Sequence, residues 1–128
     1  MKKIIVLLIV VTTLARSVQA QDTKKEIAKQ FMQVTTVESV VSGGLGRSRM
    51  IVTNPDGSQK EMDMENLFSL TGINFKNIKQ NEDKIVKVLK EYTDNNWKLE
   101  QVTSLTLSQN DTGSGGIFMT RYLLSKSE

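Results

Sequence analysis

Residues 81–104 read NEDKIVKVLKEYTDNNWKLEQVTS, and this stretch decides the fold. Ile85, Val88, Leu89 and Tyr92 fall at i, i+3, i+4 and i+7, which is one apolar stripe along an α-helix. Lys84, Lys87, Lys90 and Glu91 lie mostly off that stripe. Asn81 is the expected N-cap, with Glu82 and Asp83 suited to the positive end of the helix dipole. Asp94-Asn95-Asn96 is the expected end, because asparagine tolerates the left-handed backbone that a C-cap requires. From Trp97 the period changes to two. Trp97 and Leu99 are expected to face a core and Lys98 and Glu100 to face solvent, with Leu105 and Leu107 extending the strand.

Downstream, Gln109 to Gly116 (QNDTGSGG) has the composition of a flexible loop. Ile117 to Lys126 is apolar on both faces apart from Thr120 and Arg121, the signature of a strand inside a sheet. Upstream, Asn66 to Lys79 carries Leu67, Phe68, Leu70, Ile73, Phe75 and Ile78. It reads as an irregular connection closing one end of the core, with room for a short strand around Ile73 to Phe75. Asn54-Pro55-Asp56-Gly57 is a strong turn signal, since proline pre-sets φ and glycine tolerates the exit. It joins Arg47–Thr53 to Ser58–Glu65 as a hairpin. In the second strand Lys60, Met62 and Met64 share one face and Glu61, Asp63 and Glu65 the other. Phe31 to Ser42 is rich in valine and threonine and reads as a strand. Its faces (Val34, Thr36, Glu38, Val40 against Val37, Ser39, Val41) are both mixed. These elements predict an α+β domain over residues 31–126: an antiparallel sheet of about four to five strands with one amphipathic helix on one face, in the order β-β-β-α-β-β.

The helix, the strand opening at Trp97-Lys98-Leu99, the glycine-rich loop and the closing strand with Phe118 and Arg121 together resemble a family of small bacterial domains, the domain-of-unknown-function 4177 group. Asn96 stands where that family favours glycine and can serve the same backbone role. The resemblance covers residues 82–126, extends loosely to 31–42 and leaves Gly43 to Lys79 unaccounted for. It implies a small α+β domain and brings no known activity.

The first twenty residues look like an address. Met1-Lys2-Lys3 is a positive start, Ile4 to Val11 is an unbroken apolar run, and Val18-Gln19-Ala20 is a small-x-small exit. This is the pattern of a secretory signal peptide, and the run is shorter than the about 20 residues of a spanning helix. Cleavage after Ala20 leaves a loose, lysine-rich leader over 21–30 and no span, so the chain is expected to act in the periplasm or outside the cell.

Of 17 basic residues, three lie in that segment, so residues 21–128 carry 14 basic and 14 acidic residues. Such neutrality argues against nucleic acid as a partner. Cysteine and histidine are absent, which excludes disulfides, thiolate nucleophiles, Cys/His zinc sites and histidine triads within this chain. No cofactor or metal is expected. Apolar residues number 36 in 21–128, enough for one thin layer between helix and sheet, with surface left for a partner or a second copy.

The sharpest candidate site is Gly43, Gly44, Gly46, Arg47, Ser48 and Arg49, in the run GGLGRSR. Backbone N–H groups, two guanidinium groups and a hydroxyl suit a small anion. The run is neither nucleotide fingerprint, because a strand follows it and Arg49 stands where the dinucleotide pattern needs a third glycine. The competing reading is a hairpin connection whose arginines pair with Glu61, Asp63 or Glu65. No catalytic residue is assigned. The chain is expected to be an exported bacterial binding or interaction module of the cell envelope, its partner an envelope protein or a small anionic ligand, with oligomerisation open. The alternatives are a hydrolase using carboxylates such as Glu38, Glu61 and Glu100, and a structural subunit of an envelope assembly.

Overall fold

The computed structural model describes residues 28–41, 46–108 and 115–127. The signal-peptide reading of 1–20 and the leader up to residue 27 lie outside the described residues. The elements run β1 (Lys29–Ser39), β2 (Ser48–Thr53), β3 (Gln59–Met64), β4 (Phe68–Ser69), β5 (Gly72–Ile73), α1 (Phe75–Asp94), β6 (Lys98–Ser108) and β7 (Gly116–Ser127). Five strands form one sheet in the order β3-β2-β1-β7-β6, and β4 and β5 form a separate small hairpin. Every pairing is antiparallel. This is the expected α+β architecture, with one small hairpin added before the helix.

The Pro-Asp-Gly turn between β2 and β3 closes as its sequence dictates. Gly57 N–H donates to Asn54 O at 2.9 Å, and Gly57 takes φ +82°. The Asp56 carboxylate accepts from the Ser58 hydroxyl and N–H, and those bonds hold its pKa below the usual value. β7 is an interior strand, as its apolar faces predict, lying between β1 and β6. β1 begins at Lys29, so the last two residues of the expected leader already belong to the sheet.

One face of the sheet meets the helix. Val34 sits opposite Val52 and Tyr122, Met32 opposite Leu124, and Met50 opposite Met62. Met32, Val34, Met50, Val52, Met64 and Leu124 are buried, with Ile85, Val88, Leu89, Tyr92 and Trp97 packed against them. Full burial of such a side chain contributes about 1.5–3 kcal/mol. Thr36 and Glu38 share this inner face by alternation, which is why neither face of β1 reads as apolar in the sequence.

The helix begins earlier than expected. Asn74, not Asn81, is its N-cap: the Asn74 side chain accepts from Asn77 N–H at 3.2 Å, and Ile78 N–H donates to Asn74 O. Glu82 and Asp83 therefore lie inside the helix, where Asp83 pairs with Lys87 one turn on. Asn81 is completely buried on the inner stripe, between Ile78 and Ile85. The other end behaves as expected. Asn96 has φ +66°, Trp97 N–H donates to Tyr92 O at 3.1 Å and Asn96 N–H to Thr93 O. Those two bonds are the 6→1 and 5→2 pair of a Schellman motif. Trp97 packs on the core, and Leu99 lies opposite the buried Leu124 on the helix side of the sheet, as expected, but keeps 41% exposure because β6 is an edge strand. The connection before the helix does not close the core: Leu70, Ile73 and Phe75 are 88%, 57% and 69% exposed. The expected strand at Ile73 to Phe75 survives only as Gly72–Ile73, and Phe75 opens the helix.

Candidate functional site

Gly43 and Gly44 lie outside the described residues. The rest of the glycine–arginine run is divided between surroundings. Gly46 is packed so closely that a Cβ would sit 2.6 Å from Ser39 Cβ and 2.8 Å from Asn66 Oδ1. Ser48 turns inward, and its hydroxyl accepts from Ser39 N–H at 2.9 Å. Arg49 turns to the opposite face and pairs with Asp63, its ladder partner on β3. Arg47 is exposed just before the strand. Alternation thus separates the Ser48 hydroxyl from the Arg49 guanidinium, and cross-strand pairing engages the latter.

A polar cluster missed by the sequence reading closes the end of the sheet beside Gly46. Asn81 Nδ2 donates to Glu38 Oε1 at 3.0 Å and to Glu65 O at 2.9 Å, while Asn81 Oδ1 accepts from Glu65 N–H at 2.8 Å. One amide side chain thereby satisfies the backbone of Glu65, just beyond β3, as another strand would. Asn77 Nδ2 donates to Asn66 O, and Asn66 Nδ2 donates to Phe68 O and Val41 O. Asn66 Oδ1 is buried without a hydrogen-bond partner. A groove of about 620 Å³ lies over this cluster, bordered by Gly46, Glu65, Asn66, Phe68, Leu70 and Asn77. In the sequence Asn81 reads as a helix cap, and nothing local distinguishes Asn66, Asn74 and Asn77 or marks which asparagines are buried.

The three carboxylates weighed for hydrolysis stand apart. Glu38 faces the helix, bonded to Asn81. Glu61 lies opposite Ile51, which lies opposite Thr35, on the other face. Glu100 accepts from Ser125 Oγ and lies 3.6 Å from Lys29 Nζ. That hydroxyl first, then the charges of Lys29 and Lys98, lowers its pKa. Glu38 pairs across from Phe118, seven residues along β7 from Ser125, about 23 Å at the rise of a strand. A carboxylate pair for glycoside hydrolysis needs about 5–10 Å. Tyr122, opposite Val34 and on the same inner face as Glu38, has its pKa raised by burial and then by the Glu38 charge.

Among the described residues, nothing is packed on the face of the sheet away from the helix. Register sets Val37, Met119 and Leu105 in one row across β1, β7 and β6, with Ile117 and Leu107 in the next. Leu105 and Leu107 are 43% and 57% exposed, and all eleven residues of β6 are exposed. Among the described residues no helix is long and apolar enough to cross a membrane. No family model matches this chain, and neither the curated proteins nor the solved structures contain a significant match to it.

Proposed function

We propose that this chain is a small exported binding or interaction module of a bacterial envelope that works by surface contact rather than catalysis. The observation that carries the reading is the apolar corner of the sheet face away from the helix, Val37, Leu105, Leu107, Ile117 and Met119, beside an edge strand that no described residue covers. An exposed apolar patch beside an open strand edge is a surface for another polypeptide. The sequence of residues 1–20 supports export, with release after Ala20 to the periplasm or medium. The resemblance of residues 82–126 to the domain-of-unknown-function 4177 group rests on their sequence alone, no family model matching the chain, and it brings no activity. A role as structural subunit of an envelope assembly is the same reading at larger scale.

The test has two parts. Intact mass of the exported protein is expected to show a chain starting at Gln21. A photo-crosslinking residue at position 119, introduced in living cells, is expected to yield a discrete adduct, with itself or with another envelope protein. Retention of residues 1–20 in the exported form, or the absence of any adduct from positions 119 and 105, would refute the proposal.

A further inference from the structure

The two edges of the sheet are built differently. β3 carries Lys60, Glu61 and Asp63 within six residues, the charge guard that keeps a strand edge from pairing with another chain. β6 carries Lys98 and Glu100 at its start, where the register slips between Leu99 and Gln101. From Gln101 to Ser108 it has no charge, no proline and no glycine, and every residue is exposed. Among the described residues this half of the edge has none of the usual protection.

Its sequence also reads the same in both directions. Ser104-Leu105-Thr106-Leu107-Ser108 is a palindrome. In an antiparallel pair, residues directly opposite one another point to the same face. A two-fold axis through Thr106, normal to the sheet, therefore sets Leu105 against the second copy's Leu107, Ser104 against Ser108, and Thr106 against itself. The two leucine pairs fall on the uncovered face, where they adjoin Met119 and Ile117 of each copy. A foreign strand would have to supply this complement, whereas a second copy contains it.

We infer that the Ser104–Ser108 segment of β6 is a self-pairing edge that joins two copies of this chain into one ten-stranded antiparallel sheet. The outer edges of that sheet are the two β3 strands, both charged, so assembly closes at two copies rather than growing into a filament. The inference deepens the interaction-module reading and rests on it, naming the partner of the same surface.

The full mature chain tests this by light scattering across a dilution series. The parent is expected to be a dimer at high concentration. The double variant Leu105→Lys, Leu107→Lys places like charges opposite one another, and its dimer dissociation constant is expected to rise about tenfold or more. An unchanged urea midpoint shows that it still folds. Because the chain has no cysteine, register is read directly from single-cysteine variants. Opposed Cα atoms in an antiparallel pair lie about 4.5–5.5 Å apart, inside the about 4.4–6.8 Å that a disulfide spans. Thr106→Cys is expected to form a disulfide-linked dimer under mild oxidation, and Val102→Cys is not. A parent that stays monomeric, a dimer indifferent to the lysine pair, or equal crosslinking of the two cysteine variants would overturn the inference. A monomer that still crosslinks a different envelope protein from position 119 retires the self-pairing and leaves the module reading standing, while a chain that crosslinks nothing retires both.

Discussion

Asn81 is the residue whose replacement tests this structure most severely. Asn81→Leu keeps the helix and fills similar space, but removes all three hydrogen bonds to Glu38 and Glu65. At about 1 kcal/mol net per bond, the loss is about 3 kcal/mol. Against a total of about 5–15 kcal/mol, that is a large fraction, and it moves the melting temperature by about 12–24 °C for a domain of this size. Asn81→Asp separates electrostatics from shape. The new carboxylate still accepts from Glu65 N–H, but it loses both donor bonds and faces the Glu38 carboxylate. Burial and that like charge raise its pKa in the folded state above the unfolded value of about 3.9. The repulsive part of its deficit is therefore absent below about pH 4 and grows as pH rises through the folded pKa. Urea titrations at several pH values, followed by the fluorescence of Trp97, the single tryptophan, measure both variants. A cost below about 1 kcal/mol for Asn81→Leu, or an Asn81→Asp deficit independent of pH, would show that the amide does not hold β3 to the helix.

Three further outcomes are expected. Trp97→Ala is expected to cost about 3 kcal/mol, the low end for a tryptophan because the ring is only half-buried, and an unchanged denaturant midpoint would mean that the ring contributes nothing to the core. Gly46→Ala is expected to lose about 1–3 kcal/mol by overpacking against the Ser39 and Asn66 side chains, whereas Gly57→Ala, with open space around its Cβ but φ +82°, is expected to lose less; calorimetric melts of both variants decide the order. The double change Arg47→Ala, Arg49→Ala is expected to cost about 0–1 kcal/mol through the lost Asp63 pair. If the glycine–arginine run binds an anion, sulfate raises the melting temperature of the parent and not of the variant; equal responses remove the anion site.

What could be read in the chain beforehand depended on whether the cause was local. The β2–β3 turn rests on Asn54-Pro55-Asp56-Gly57 alone and was legible in full. So was the helix exit, because Asn96 supplies the left-handed residue itself. The interior place of β7 followed from its two apolar faces. The helix start was not legible, because Asn81 looks like a cap and its real partners, Glu38 and Glu65, are 43 and 16 residues away. Ile78 belonged to the same stripe, but a buried asparagine interrupts it. Leu70, Ile73 and Phe75 looked like core for the ordinary reason that apolar residues usually are, and only the three-dimensional path of the β4–β5 hairpin puts them outside. The divergence of Ser48 and Arg49 was implicit in strand alternation once Ser48 was known to belong to β2. Nothing local indicated that β6 would lie at an edge, since strand order is set by which strand β1 and β7 choose to pair with.

β1 lies at the middle of the sheet, and one of its two neighbours is β7, the last of the described strands in sequence. Its register with β7 joins Lys29 to Ser127 and Ser39 to Ile117, so every contact along that seam closes a loop of most of the domain. Contacts of such long sequence separation are the slow ones in folding, because chain entropy is lost before the pairing repays it. The β2–β3 hairpin and the helix can form as soon as they are made, but β1 keeps an unpaired side until residues 116–127 arrive. Closure of the sheet is therefore deferred until residues 116–127 have been made, and up to that point β1 offers one bare edge to whatever the growing chain meets.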